Sequence, residues 1–112
     1  MTHREGPMRQ KNVVRIDRDL KEIVPGYLQN RKKELSELKT LLSSNSFDQI
    51  AKIGHKLRGN AGGYGFEGLG RLADLLEKHA KEKNTSLIAD DLESIESYLE
   101  NIVVAYVEEG AA

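Results

Sequence analysis

The chain has 112 residues, of which 38% are hydrophobic and 5% aromatic, and its 17 basic and 18 acidic side chains leave a formal net charge of -1. This length and composition predict one domain with an aliphatic core, and the balanced charge argues against the basic surface of a nucleic-acid-binding protein. Without cysteine there is no disulfide framework, thiol catalysis or thiolate metal site, and because no apolar run reaches the roughly 20 residues of a membrane span, we expect a soluble cytoplasmic protein.

The N-terminal segment, residues 1–12, is polar, contains Gly6 and Pro7, and shows no apolar periodicity. Such a composition predicts a disordered leader, because it offers too little apolar surface to order the chain. One helical domain is expected over residues 13–110. We expect this domain to be a monomer, because its helices can close a bundle without a second copy.

Two helices are predicted in the first part of the domain. A short one is expected to begin near Asp17 and to be interrupted at Pro25-Gly26, because proline disfavours helical backbone in the residue before it. Its apolar side consists of Ile16, Leu20 and Ile23. The second helix resumes at once and runs to about Ser43. Its apolar residues at helical spacing are Leu28, Leu35, Leu38 and Leu42.

Three further helices complete the predicted fold. The third covers about Phe47 to Gly62 and ends in a glycine-rich turn, and the fourth covers about Phe66 to Lys83. The last helix contains a seven-residue repeat of apolar positions, formed by Ile88, Leu92, Ile95, Leu99, Ile102 and Tyr106. Since the chain shows no alternating strand pattern, we predict an all-α fold, an antiparallel four-helix bundle with a short additional N-terminal helix.

One histidine, His55, lies opposite the apolar stripe of the third predicted helix. That stripe consists of Ile50, Ile53, Leu57 and Ala61. An imidazole facing water is partly unprotonated at neutral pH and can accept a phosphoryl group without a dedicated base. Arg58 is three residues further on and can reach the same surface to bind phosphoryl oxygens, whereas Gly59 leaves the histidine uncovered. Glycine within a helix costs about 1 kcal/mol, and close helix packing would explain Gly54.

The residues from His55 onward match a known family pattern. Residues 55–61 read His-Lys-Leu-Arg-Gly-Asn-Ala, and Tyr64-Gly65-Phe66 follows. The pattern is a histidine, any residue, a hydrophobic residue, Lys or Arg, glycine and small residues, with an apolar residue and glycine before the next helix. Here the chain resembles the histidine-containing phosphotransfer (HPt) domains of phosphorelays, and the resemblance extends from about Val14 through the last helix. Asn60 departs from the Ser or Ala that often occupies its position.

The resemblance implies a phosphocarrier rather than an enzyme. His55 would be the phosphoacceptor, Arg58 would stabilise the phosphoryl group in place of the commoner lysine, and Gly59 would keep the site open. The phosphoryl group would be exchanged with an aspartate of a response regulator receiver domain, which supplies Mg²⁺, in a relay that includes a hybrid sensor histidine kinase. The chain itself would need no cofactor and no metal.

The exposed side of the same helix is the expected docking surface for the receiver domain. Besides Arg58 and Gly59, the candidate contact residues are Ala51, Lys52, Lys56, Gly62 and Gly63. Which helix flanks this surface stays open, because the segments 26–43 and 66–83 both adjoin it in sequence.

Two other functions are compatible with a histidine on a bundle helix. A dimerising histidine-kinase core normally has an acidic residue after its histidine and a later proline, whereas here Lys56 comes next and no proline follows. A helical adaptor that binds a signalling partner without phosphoryl chemistry would tolerate replacement of His55. A second histidine, His79, is interpreted as structural, because late in a helix it can interact with the C-terminal carbonyl groups.

Overall fold

The computed structural model describes residues 12–108, so the predicted leader lies outside the described residues apart from Asn12. The helices are α1 (Val24–Ser43), α2 (Phe47–Tyr64), α3 (Glu67–Lys81) and α4 (Thr85–Asn101). The strands are β1 (Asn12–Asp17) and β2 (Ile102–Val107), and a 3-10 turn, Arg18–Leu20, follows β1. These four helices confirm the mostly helical fold, whereas the antiparallel order of the bundle stays a prediction. Among residues 12–108, no helix is long and apolar enough to cross a membrane.

The short N-terminal helix is not confirmed, because the chain around Asp17 forms a strand and a turn instead. β1 pairs in parallel with β2 along its six residues. Its β-branched residues favour extended backbone, and its side chains alternate between the two faces of the sheet. Ile16 is therefore buried while Val13 is exposed. The burial of Ile16 thus follows from strand alternation and not from the helical stripe that its spacing to Leu20 and Ile23 predicts.

The last predicted helix is shorter than its apolar repeat indicates. α4 ends at Asn101, and the next six residues form β2, which is rich in β-branched residues. Ile102 and Tyr106 contact the core from this strand rather than from a helix. The prediction of an all-α chain is therefore corrected by one small parallel sheet that joins the two ends of the described segment.

Local sequence signals explain where the helices begin and end. Pro25 stands in the first turn of α1, where a missing N–H group costs no intrahelical bond, so it begins a helix rather than interrupting one. The side chain of Asn84 caps α4 by accepting a hydrogen bond from the N–H of Leu87 at 3.0 Å. Gly65 ends α2 with φ of 97°, a left-handed conformation that glycine adopts without strain.

The backbones of α2 and α3 approach each other closely at Gly54. A Cβ atom at this position would lie 3.1 Å from the backbone nitrogen of Glu77 and 3.2 Å from the carbonyl oxygen of Ala73. Close helix packing is thus confirmed as the reason for Gly54. At Gly59, five residues further along α2, such a Cβ would meet no described atom within 4 Å beyond the adjacent backbone of its own helix, so the two glycines have different structural roles.

We expect Gly54→Ala to lower the free energy of unfolding by about 1 to 3 kcal/mol, because the added methyl group pushes the two helix backbones apart. The same substitution at Gly59 should raise it by up to about 1 kcal/mol, because alanine favours a helix and meets no neighbour. Urea denaturation followed by circular dichroism measures both effects. Equal changes at the two positions would contradict the packing argument.

The second histidine pairs with a side chain of the neighbouring helix rather than with the end of its own. His79 Nδ1 of α3 lies 2.6 Å from Asp91 Oδ2 of α4, and the two side chains are 13% and 9% exposed. Burial raises the pKa of Asp91, and the hydrogen bond from His79 opposes that rise. The pair therefore ties α3 to α4 and offsets the cost of burying the Asp91 carboxylate.

We expect His79→Leu to destabilise the fold by about 2 to 4 kcal/mol at pH 7, because it leaves Asp91 buried without its partner. A buried carboxyl group with a raised pKa lowers the free energy of unfolding as the pH rises through that pKa. The destabilisation caused by His79→Leu should therefore be smaller at pH 4 than at pH 7. Urea denaturation at both pH values measures this. The double variant with Asp91→Ala should recover part of the stability, and no recovery would contradict the pairing.

Candidate functional site

His55 lies on the outer side of α2, with its side chain 65% exposed. The predicted apolar stripe lies on the opposite side of the helix, where Ile50, Leu57 and Ala61 are buried and Ile53 is partly buried. The imidazole is therefore presented to solvent by the same periodicity that packs the rest of the helix.

A carboxylate from the next helix contacts the imidazole. Nδ1 of His55 lies 3.2 Å from Oε2 and 3.4 Å from Oε1 of Glu77, on α3. The Glu77 side chain is only 11% exposed, so the site holds a mostly buried acid beside an exposed ring. This contact depends on Gly54, because its missing side chain allows the backbone at Glu77 to come close to α2.

Glu77 is kept ionised by its neighbours. Lys81 Nζ lies 3.1 Å from Oε2 of Glu77. The hydrogen bond from Lys81 is the main cause that holds the pKa of Glu77 below its ordinary value, and the charges of Lys81, His55 and Arg58 add to this effect, while burial opposes it. An ionised carboxylate only accepts hydrogen bonds, so we assign the ring proton of neutral His55 to Nδ1. The lone pair of Nε2 is then available at the surface.

The guanidinium of Arg58 lies beside the ring, on the side of α3. Its Nη1 donates to Asp74 Oδ1 at 3.2 Å, and its Nη2 lies 3.8 Å from Glu77 Oε1 and 3.2 Å from His55 Nδ1. With the proton assigned to Nδ1, the ring cannot accept a hydrogen bond from Arg58, and the guanidinium is then held by the two carboxylates. The open depression beside the ring is lined by His55, Arg58, Asp74, Glu77, Lys78, Lys81 and Glu82.

The predicted docking residues occupy the open side of α2. Gly59, Gly62 and Gly63 are exposed, and no described atom lies within 4 Å of a Cβ built on any of them. Lys52 and Lys56 are exposed as well. Ala51 is partly buried against the core. We call the surface that these residues form next to the ring the glycine face.

The helix α1 flanks the glycine face opposite α3, and Asn60 joins it to α2. Tyr27 of α1 donates a hydrogen bond from its hydroxyl group to Asn60 Oδ1 at 2.5 Å. Arg31 Nη1 donates to the same oxygen at 3.3 Å, and its guanidinium lies 4.6 Å from the centre of the Tyr27 ring. Both candidate segments therefore flank α2, and Asn60 has a structural role as an acceptor that alanine could not fill.

The sequence-based prediction missed the acidic and basic groups that α3 contributes to the site. Glu77 stands between Ala73 and Ala80 on the buried stripe of that helix, and a charged residue at an apolar position was the available signal. Lys81 follows it at the i+4 spacing of a helical ion pair. Among residues 12–108, no group of three or more His, Cys, Asp or Glu side chains is placed to hold a metal ion.

The structure thus presents a hydrogen-bonded imidazole at the surface of a helical domain. The model of the Hpt domain family matches residues 22–105, so the chain belongs to that family. No curated protein and no solved structure matches the chain. Membership implies a role in two-component or phosphorelay signalling, as a phosphocarrier rather than a classical enzyme. Hpt domains interact with receiver domains and kinases in these pathways.

The contact between His55 and Glu77 predicts the tautomer of the neutral imidazole. Above the pH at which the ring loses its charge, long-range ¹H–¹⁵N spectra should show His55 mainly protonated on Nδ1. Glu77→Gln should lower that population, because a neutral amide is a weaker acceptor than a carboxylate and can itself donate. Glu82→Gln, in the same depression, serves as the control. An unchanged tautomer ratio in the Glu77 variant would contradict the assignment.

Proposed function

We propose that the chain carries a phosphoryl group on Nε2 of His55 and exchanges it with an aspartate of a receiver domain. The observation that carries this proposal is the contact between His55 Nδ1 and the ionised Glu77, which favours a proton on Nδ1 and a free lone pair on Nε2 of a side chain that is 65% exposed. The family, whose members act in phosphorelays, supports the same chemistry.

The transfer needs no proton to move. The Nε2 lone pair attacks the phosphorus of the receiver's aspartyl phosphate, the phosphorus–oxygen bond breaks, and its electron pair returns to the aspartate carboxylate. Nδ1 keeps its proton, so the phosphorylated ring carries a positive charge that the adjacent Glu77 carboxylate stabilises. The reverse step restores the neutral ring and the aspartyl phosphate.

Most of the remaining catalysis is assigned to the partner. Phosphoryl transfer depends on positioning and on the stabilisation of charge. The receiver domain would supply Mg²⁺, and this chain would supply the nucleophile and Arg58 as one cation. The glycine face would let the receiver approach, since Gly59, Gly62 and Gly63 add no side chain between the two proteins. Lys52 and Lys56 would attract an acidic rim on the partner.

Expectations about location and assembly complete this proposal. A carrier that meets receiver domains and a hybrid sensor kinase would act in the cytoplasm, and a single copy contains His55, Arg58 and Glu77. A cytoplasmic monomer therefore stays the prediction, and equilibrium sedimentation measures the assembly state directly.

We expect the purified chain, incubated with phosphorylated receiver domains and Mg²⁺, to acquire label that is labile in acid and stable in alkali. His55→Gln should abolish this label while circular dichroism shows the same helix content. His79→Gln is the matched control, because the second histidine is largely covered, with its side chain 13% exposed, and glutamine can still donate to Asp91. The assay uses a panel of receiver domains and records which of them loses its phosphoryl group.

Two results would contradict the proposal. Label that persists in the His55 variant would place the phosphoryl group elsewhere. A folded wild-type chain that binds a receiver domain and acquires no label would favour the helical adaptor, in which His55 can be replaced without loss of binding.

A further inference from the structure

Arg58 is engaged in its present position by two carboxylates. Its Nη1 donates to Asp74 at 3.2 Å, and its Nη2 lies 3.8 Å from Glu77. Both contacts lie on the side of the ring that contains Nδ1, since Nη2 is also 3.2 Å from that nitrogen. A phosphoryl group on Nε2 would stand on the other side of the ring. Binding the phosphoryl oxygens would then draw the guanidinium toward Nε2 and away from these carboxylates.

We propose that Asp74 competes with the phosphoryl group for Arg58 and thereby sets how readily His55 is phosphorylated. This inference rests on the proposed phosphorylation of His55 and adds a positioning residue to it. In the unphosphorylated chain, the ion pair with Asp74 stabilises the resting position of the guanidinium. In the phosphorylated chain, the same guanidinium binds the phosphoryl oxygens and the pair is lost.

Of the two carboxylates, Asp74 is the one that can act as a competitor without another role. Glu77 is 11% exposed and is also bound by Lys81 and His55, so its replacement changes the tautomer of the ring. Asp74 is 61% exposed, and among residues 12–108 its ion pair is with Arg58. Its removal therefore releases one of the two carboxylate contacts of the guanidinium and leaves the contact between His55 and Glu77 in place.

The effect should be small but measurable. Exposed ion pairs of this kind change an equilibrium by about twofold to fivefold, and salt weakens them. Asp74→Asn should therefore shift the exchange with a receiver domain toward phosphohistidine by that factor. The shift should decrease in high salt, because the pair it removes is partly exposed.

The test is a double-variant cycle on the equilibrium constant for phosphoryl exchange with one receiver domain. It compares the wild type, Asp74→Asn, Arg58→Gln and the double variant. Without the guanidinium there is nothing to compete for, so Asp74→Asn should have no effect in the Arg58→Gln background. Glu82→Gln is the matched control, because this carboxylate lines the same depression and is not among the groups that contact Arg58 within the described chain.

An Asp74 variant that leaves the equilibrium constant unchanged would overturn the inference. So would a shift of equal size in the Arg58→Gln background or in Glu82→Gln, since either result would mean a general effect of charge. Chemical phosphorylation of His55 with phosphoramidate separates this inference from the proposed function. If no receiver domain transfers to the wild type, the proposed function fails, while a phosphoramidate equilibrium that depends on Asp74 through Arg58 still supports the competition.

Discussion

At Gly54 the backbone of α3 comes so close to α2 that a Cβ would lie 3.1 Å from the nitrogen of Glu77. This contact determines where the charged groups of the site lie. Because the two backbones touch here, the Glu77 carboxylate reaches the imidazole one residue further along α2, at 3.2 Å. Lys81 and Asp74 lie on the same side of α3, and their positions follow from the same approach. A larger residue at position 54 would separate the imidazole of His55 from the carboxylate of Glu77.

The charges around the imidazole are balanced before any phosphoryl group arrives. Arg58 and Lys81 are paired with Asp74 and Glu77, so the resting site has no strong excess of positive charge. A phosphate dianion in solution would gain little by binding there. The proposed bond to Nε2 would instead create a positive ring next to Glu77 and bring phosphoryl oxygens within reach of Arg58. Such an arrangement favours a covalently attached phosphoryl group over a free one.

Helical periodicity is local, and for this reason the sequence predicts the part of the site that lies on α2. His55, Arg58 and Gly59 lie within one turn, and their shared side follows from 3.6 residues per turn. Glu77 comes from a different helix, and only packing at Gly54 brings it to the ring. The parallel sheet was missed for a similar reason. It pairs Asn12 with Ile102, and neither segment alone contains a signal for a partner so distant in sequence.

The two helices that flank α2 make different kinds of contact with it. On the α3 side, carboxylates and cations orient the ring and hold the guanidinium. On the α1 side, Asn60 accepts hydrogen bonds from Tyr27 and Arg31, which fixes the distance between α1 and α2. Asn60 thus gives the tyrosine and the arginine that face it a shared acceptor, which alanine lacks. Asn60 therefore ties α1 to one flank of α2, and the contact between His55 and Glu77 ties α3 to the other flank.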